Sequence, residues 1–248
     1  EHHYGQYMNR HYVHVVREAA AHHIMVNAHE ASRPTGLIRT WPNYVAQESA
    51  RGGEYEAFPA KKGNPVYHHV ILPFTRLQGG PMDYTPGILE TSLEWAGNPC
   101  RIHTTIAGQL ALYLTMPSPL QMAADLPEHY AKYADAFAFI RDVALDWDDG
   151  RYLEAEPGEY ITVARKAAGS ENWFVGGKTA LARTTTVRLS FLEPGKTYTC
   201  TLWQDAPDAH WETAPEKYSV STQTVTSRTK LKLYEAEGGG FAMEIIPD

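Results

Sequence analysis

The chain has 248 residues, 43% of them hydrophobic, so it is long enough to bury the core of one large domain or of two smaller ones. Its formal net charge is -7 and its 22 lysines and arginines form no basic cluster, which argues against binding to nucleic acid or to an anionic membrane. No apolar run approaches the roughly 18 residues that a transmembrane helix needs. A neutral or polar partner fits this composition better.

The first part of the sequence alternates helical and strand-like patterns. In chain order the predicted elements are a helix over residues 5–22, a buried strand over 23–28, a strand over 37–41, a helix over 66–77, a short strand over 81–84, and helices over 104–116 and 131–141. Alternation of this kind favours a parallel sheet with right-handed crossovers. A closed barrel needs eight strand and helix units, so at most part of a barrel is expected here.

After a change near residues 146–150 the hydrophobic period becomes two. The predicted strands of this part lie at residues 159–164, 172–176, 185–192, 198–203, 231–234 and 240–246. Turn signals rich in glycine and proline separate them, at residues 193–196 and 237–240. We therefore predict α/β structure over residues 1–148 and an antiparallel β domain over residues 149–248.

Two cysteines, Cys100 and Cys200, lie far apart in segments assigned to different domains. We expect no disulfide between them, and two free thiols say little about the redox compartment.

Three glutamates, Glu30, Glu48 and Glu54, are the candidate catalytic residues. Glu30 follows the strand predicted over 23–28, and the carboxyl ends of strands carry the active site in α/β barrels. Glycoside hydrolysis needs two carboxyl groups, one to protonate the leaving oxygen and one to activate water or attack carbon. Composition alone leaves open the alternative that Glu48 and Glu54 are solvated loop acids.

Adjacent histidines occur three times, as His2-His3, His22-His23 and His68-His69. We expect no zinc site there, because neighbouring side chains point to different sides and no further ligands stand at zinc spacing.

Long motifs along the whole chain resemble glycoside hydrolase family 97. In chain order they are NAHE at 27–30, RPTG at 33–36, RTWPN at 39–43, ESARG at 48–52, EYE at 54–56, LPFTR at 72–76, GPMDYTPG at 80–87, QLALY at 109–113, SPLQMAAD at 118–125, DWD at 146–148, EPGEYI at 156–161 and DAPDAHW at 205–211. The resemblance implies the C-terminal part of a (β/α)8 TIM barrel followed by an antiparallel β-sandwich. The N-terminal domain and the early barrel strands are then expected upstream.

The resemblance also implies roles for particular residues. Glu30, Glu48 and Glu54 correspond to ligands of a calcium ion in the active site. Glu54 corresponds to the general acid and Glu30 to the base that activates water. His29 corresponds to a substrate-binding residue that hydrogen-bonds the sugar, with an orienting histidine as the alternative. Arg39, Trp41 and Asp83 are candidates for the rim of the site, with packing as the alternative for Trp41.

A glutamate directly after His29 is similar to the inverting α-glucosidase branch of the family, since the retaining branch has glycine there. The resemblance therefore implies calcium-dependent hydrolysis, with inversion, of terminal α-glucosidic bonds in maltooligosaccharides. The alternatives are a retaining α-galactosidase of the same family, or a catalytically incomplete piece that lacks the upstream part. A periplasmic location is expected from the resemblance as well.

Overall fold

The computed structural model describes residues 4–59 and 63–248. Its α-helices are α1 (Gln6–Ala21), α2 (Leu37–Thr40), α3 (Ile106–Thr115), α4 (Pro127–Lys132) and α5 (Ala134–Asp142). Its β-strands are β1 (Val26–Ala28), β2 (Tyr44–Gln47), β3 (Trp147–Glu156), β4 (Tyr160–Ala167), β5 (Trp173–Thr179), β6 (Arg183–Arg188), β7 (Tyr198–Asp205), β8 (Tyr218–Val225), β9 (Lys230–Glu235) and β10 (Gly240–Pro247). Short 3₁₀ helices occupy Gly53–Ala57, Val66–Val70, Leu72–Phe74, Arg76–Gly79 and Glu94–Ala96.

The strongest sequence patterns are confirmed. The helix predicted over 5–22 is α1, and the strand predicted after it is β1, which is half-buried rather than buried. The helix predicted over 104–116 is α3, and the side chain of Thr105 caps it by accepting a hydrogen bond from the N–H of Gly108. The helix predicted over 131–141 corresponds to two helices, the end of α4 and most of α5, which meet at Tyr133.

Three weaker predictions are wrong. Residues 37–41 form the short helix α2 instead of a strand, because Gly36 turns the chain with φ +83° and the strand begins later, at Tyr44. Residues 66–77 form separate 3₁₀ helices, since Pro73 has no N–H to continue a helical ladder. Residues 81–84 pair with no strand.

The pair β1 and β2 is parallel, as predicted, with Val26 opposite Tyr44 and Ala28 opposite Gln47. The N–H of Glu48 continues this pairing by donating to the carbonyl of Ala28. Because parallel strands end at the same edge of a sheet, the residues that follow β1 and β2 lie side by side.

The C-terminal part is antiparallel. A six-stranded sheet has the order β3-β4-β5-β10-β7-β8, and a two-stranded sheet, β6-β9, packs over one of its faces. The other face of the large sheet packs against α3 and α5, through a core that includes Leu110, Leu114, Phe139, Phe174 and Trp203. The six predicted strands correspond to β4, β5, β6, β7, β9 and β10, although β6 ends at Arg188, earlier than predicted. An α/β part followed by an antiparallel β domain confirms the predicted fold class.

Lys178, on β5, joins the two parts. Its buried ammonium donates hydrogen bonds to the Oγ1 of Thr104 at 3.1 Å, to the carbonyl of Gly239 at 3.2 Å, and to the carbonyl of Gly238. Burial lowers the pKa of Lys178 to about 7, against the raising effect of the nearby carboxylates. The turn before β10 is thereby tied to the start of α3.

The two cysteines are free, as predicted, and Cys200 is buried. None of the helices in the described residues is long and apolar enough to cross a membrane.

Candidate active site

An open cavity of about 720 Å³ lies at the carboxyl ends of β1 and β2. Glu30, Glu48 and Glu54 all line it, so the structure brings together the three glutamates that the sequence singled out. Aromatic side chains and one arginine complete much of the wall, namely Tyr4, Tyr55, Phe58 and Arg51. Such a wall can bind the apolar faces and the hydroxyls of a sugar.

Glu48 and Glu30 are in direct contact at the base of this cavity. The N–H of Glu30 donates to the Oε2 of Glu48 over 2.9 Å. Glu48 is buried, whereas the side chain of Glu30 is exposed to the cavity. Glu30 and Ser49 both adopt positive φ, 52° in each case, a conformation that is uncommon for residues other than glycine. Backbone of this kind is held in place by its surroundings and clusters at functional sites.

Glu54 stands on the 3₁₀ helix Gly53–Ala57, and its side chain is exposed to the cavity. The N–H of Gly53 donates to the carbonyl of Tyr84 at 2.6 Å. A Cβ on Gly53 would lie 2.8 Å from the carbonyl oxygen of Thr85, so only glycine allows this helix to approach the loop so closely.

His29 lies between two carboxylates. Its Nε2 is 2.8 Å from the Oδ2 of Asp83, and its Nδ1 is 3.9 Å from the Oε2 of Glu48. Burial lowers the pKa of His29, but the hydrogen bond to Asp83 and the charges of Asp83, Glu48 and Glu54 together raise it above its ordinary value. Sequence reasoning placed Asp83 only on the rim, although its position within the GPMDYTPG motif was a signal that it has a functional contact.

The atoms of the site can hold a metal ion. Ligand atoms of His29, Glu48 and Glu54 lie within 4.8 Å of one another, and no other such group of histidine, cysteine or acidic residues occurs in residues 4–59 and 63–248. No lysine or arginine of these residues forms an ion pair with Glu30, Glu48 or Glu54. Grouped carboxylates without a lysine or arginine partner repel one another, and a bound cation relieves this repulsion. The carboxylate of Glu30 lines the cavity but lies outside the group, so its role as a ligand stays a prediction.

The histidine pairs have separate partners. The Nε2 of His68 contacts the carbonyl of Arg51 at 2.9 Å, and the Nε2 of His69 contacts the hydroxyl of Tyr84 at 2.5 Å. His22 and His23 are exposed, and His2-His3 lies outside the described residues.

Two family models match the chain. One, described as "Glycoside hydrolase 97", matches residues 2–50, and the other, described as "Glycosyl-hydrolase 97 C-terminal, oligomerisation", matches residues 146–246. The chain belongs to glycoside hydrolase family 97. Glu30 and Glu48 fall within the region matched by the first model, Glu54 lies just beyond it, and nearly all of the antiparallel β domain falls within the region matched by the second.

Among family 97 relatives, the chain is 35% identical over 231 residues to "Retaining alpha-galactosidase" of Bacteroides thetaiotaomicron, and covers 34% of that protein. It is 36% identical over 169 residues to "Probable retaining alpha-galactosidase" of Streptomyces bingchenggensis, and covers 24% of that protein. These matches include 91% and 68% of this chain. The chain therefore spans about a third or less of the length of the curated relatives it matches.

A family 97 enzyme from Pseudoalteromonas sp. strain K8, solved in complex with acarbose, superposes with a TM-score of 0.94 at 40% identity. The match covers 99% of this chain and 38% of that one. A variant of the same enzyme was solved in complex with panose. Together with the family models, this match assigns the chain to the C-terminal portion of the catalytic domain and the C-terminal β domain that follows it.

Proposed function

We propose that this chain carries the catalytic carboxylates of an inverting, calcium-dependent α-glucosidase. The enzyme hydrolyses terminal α-glucosidic bonds in maltooligosaccharides. The observation that carries the proposal is the shared cavity of Glu30, Glu48 and Glu54. Glu54 is the general acid, which protonates the oxygen of the leaving sugar. Glu30 is the base, which removes a proton from the attacking water.

The exposure of the three carboxylates supports this division of roles. Glu30 and Glu54 present exposed side chains to the cavity, where a substrate and a water molecule can reach them. Glu48 is buried and already accepts the N–H of Glu30, so it is suited to hold an ion and the backbone rather than to exchange protons with substrate.

The donor set also fits calcium. Glu48 and Glu54 supply carboxylate oxygens, which calcium prefers, and Glu30 on the same cavity wall can add another. Calcium takes about six to eight oxygen ligands, so water, substrate or residues outside this chain complete the set. When bound, the ion supplies a positive charge that polarises sugar oxygens in the cavity. His29 offers nitrogen, which suits calcium poorly, and we assign it to the substrate.

A retaining α-galactosidase is the second candidate. It is favoured by the names of the two curated relatives at 35% and 36% identity. Glu30 favours the inverting reaction instead, because the resemblance places glycine at this position in the retaining branch. The length of the relatives supports a third possibility, that the 248 residues alone are catalytically incomplete.

The anomer released first separates these candidates. We would follow hydrolysis of maltose and of an aryl α-galactoside by proton NMR, with calcium and then with excess chelator, using protein expressed from its complete reading frame and the 248-residue chain in parallel. Calcium-dependent release of β-glucose first is the expected result. Release of α-galactose first would instead identify a retaining α-galactosidase. Turnover by the product of the complete reading frame, and not by the 248-residue chain, would show that these 248 residues do not suffice for activity.

The acid is tested by Glu54→Gln, which is expected to lower kcat by orders of magnitude, since the leaving oxygen then receives no proton. Glu94→Gln is the matched control, because Glu94 is also an exposed glutamate in the first turn of a 3₁₀ helix. A wild-type rate in Glu54→Gln would remove Glu54 from this role.

A further inference from the structure

We infer that Asp83 is a positioning residue of this active site, which fixes His29 so that Nδ1 is the ring nitrogen presented to a sugar bound beside Glu48 and Glu54. The inference rests on the proposed function and deepens it, because it assigns the substrate contact of His29 to one atom and names the residue that controls it.

Asp83 is built into the site as a buried acceptor. Only 1% of its surface is exposed, and its Oδ2 contacts the Nε2 of His29 at 2.8 Å and accepts from the Nδ2 of Asn27 at 2.5 Å. Its Oδ1 accepts from the N–H of Thr85 at 3.2 Å. No lysine or arginine of the described residues pairs with it. A buried carboxylate that no lysine or arginine neutralises is stabilised by such hydrogen-bond donors. The positions of the donors therefore fix the orientation of the carboxylate.

The strand geometry explains why His29 meets this acceptor. Asn27 and His29 are two residues apart at the end of β1, where side chains of alternate residues project to the same side. Both therefore reach the one carboxylate of Asp83. With Nε2 engaged, the free nitrogen of the ring is Nδ1, which lies 3.9 Å from the Oε2 of Glu48. About one third of the His29 side chain is exposed, so a ligand can reach the ring.

The loop that carries Asp83 is itself fixed against the other site residues. Arg76 donates to the carbonyls of Gly80 and Pro81, just before Asp83, and also to those of Gln47 and Glu48 at the end of β2. Asp83 is thus held at a set distance from the strand end that bears Glu48. Partners that orient a metal-ligating histidine in this way affect activity about 10-fold to 100-fold when they are lost, and we expect an effect of the same size for a histidine that binds substrate.

A double-mutant cycle separates positioning from a general structural role. Asp83→Asn keeps the shape and the acceptor for Thr85 but can place an amide N–H against Nε2, which turns the ring or changes its tautomer. We expect Asp83→Asn to lower kcat/KM roughly 10-fold to 100-fold. In the background of His29→Gln, the same change is expected to cost less than about 3-fold, because the residue through which Asp83 acts is already gone.

A second readout does not depend on turnover. The dissociation constant of glucose, measured by calorimetry on the calcium-free and on the calcium-loaded protein, should rise in Asp83→Asn and in His29→Gln, and should rise little further in the double variant. Galactose replaces glucose if the protein proves to be an α-galactosidase, because the inference concerns the nitrogen and not the sugar. If the wild type neither binds nor cleaves either sugar, the proposed function and this inference both fail.

Asp125→Asn is the matched control. Asp125 forms the same kind of contact, with the Nδ1 of His129 at 2.5 Å, and also accepts the N–H groups of Leu89 and Glu90, but its histidine is not part of the group that His29 forms with Glu48 and Glu54. It should leave kcat/KM within about 2-fold. If Asp83→Asn does not fold by circular dichroism, Asp83→Glu takes its place in the cycle. Equal losses from the Asp83 change with and without His29 would overturn the inference while leaving the glycosidase function intact.

Discussion

The N–H of Glu30 donates to the Oε2 of Glu48 over 2.9 Å, although the two residues stand 18 positions apart in the chain. The parallel pairing of β1 and β2 produces this contact, since it brings both strand ends to one edge. Glu48 is consequently shared between the backbone of one proposed catalytic residue and the group of atoms that can hold a cation.

This shared role predicts the effect of Glu48→Gln. The amide keeps an oxygen that can accept the Glu30 N–H, but it removes one negative charge from the group. We therefore expect the calcium dissociation constant to rise at least about 10-fold, and the increase of Tm on adding calcium to shrink, while the Tm without calcium changes little. Calorimetry measures the dissociation constant, and thermal melts with and without calcium measure the two Tm values, with Glu94→Gln as control. An unchanged dissociation constant would exclude Glu48 as a ligand.

Arg76 is buried and donates four hydrogen bonds to the carbonyls of Gln47, Glu48, Gly80 and Pro81. Lysine has no planar fork, so Arg76→Lys leaves several of these carbonyls without a donor. We expect this change to lower the free energy of unfolding by about 3 kcal/mol in a urea titration. Arg228→Lys, at an exposed position, should change it by less than about 0.5 kcal/mol. If Arg76→Lys also changed the free energy of unfolding by less than about 0.5 kcal/mol, the four hydrogen bonds of Arg76 would not be what holds these segments together.

Gly53 allows the helix that carries Glu54 to touch the loop at 84–85. In Gly53→Ala the new methyl would meet the carbonyl oxygens of Thr85 at 2.8 Å and Tyr84 at 3.1 Å, which are backbone atoms and cannot swing aside. We expect a loss of about 1–3 kcal/mol in stability together with a fall in kcat, because Glu54 is displaced. Gly150→Ala is the control, since its methyl would meet only one side-chain atom, the Nη1 of Arg165, at the longer distance of 3.3 Å. A normal kcat in Gly53→Ala would show that the approach is not required for catalysis.

The burial of Glu235 leads us to expect that the stability of the protein depends on pH. Burial raises the pKa of this fully buried carboxyl from its ordinary 4.5 to about 8, against the lowering effect of Arg183, whose Nη1 lies 3.4 Å from its Oε2. The folded state therefore keeps a proton that the unfolded state releases above about pH 4.5. The stabilisation that comes from the protonated carboxyl of Glu235 is present below that pH. It is lost as the pH rises toward about 8.

Glu235→Gln removes this titration. The free energy of unfolding of the variant minus that of the wild type should rise by about 4 kcal/mol between pH 4.5 and pH 8, at roughly 1.4 kcal/mol for each pKa unit. Urea titrations across this range measure the difference. The exposed substitution Glu216→Gln should give a flat difference. A flat difference for Glu235→Gln would mean that Arg183 keeps the carboxylate ionised throughout.

The elements that could be predicted from the sequence are those whose pattern reflects their burial. The helix α3 and the strands β4, β5, β7 and β10 are rich in buried apolar residues, and each was expected. The strands β3 and β8 were not expected, because they lie at the two edges of the large sheet. Nearly all of β8 is exposed on both faces and β3 is rich in charge, so neither alternates in the way that a half-buried strand does.

The site followed the same logic. Motifs pointed to Glu30, Glu48 and Glu54, and a strand end before Glu30 could be predicted from its apolar run. The contact between His29 and Asp83 joins residues 54 positions apart, through a loop that has no regular secondary structure. The loop is held by a buried arginine side chain rather than by strand pairing, and periodicity does not report on such hydrogen bonds.

Lys178 also limits how the β domain can be exchanged between enzymes. Its ammonium finds its three acceptors partly in the turn before β10 and partly in the hydroxyl of Thr104, at the start of α3. A β domain of this type moved onto a different catalytic domain would keep the lysine but lose the hydroxyl, unless the new host offered an acceptor at the same place. Chimeric enzymes that exchange this domain therefore need to carry Thr104 and its helix along with Lys178, so the unit of exchange is larger than the β domain itself.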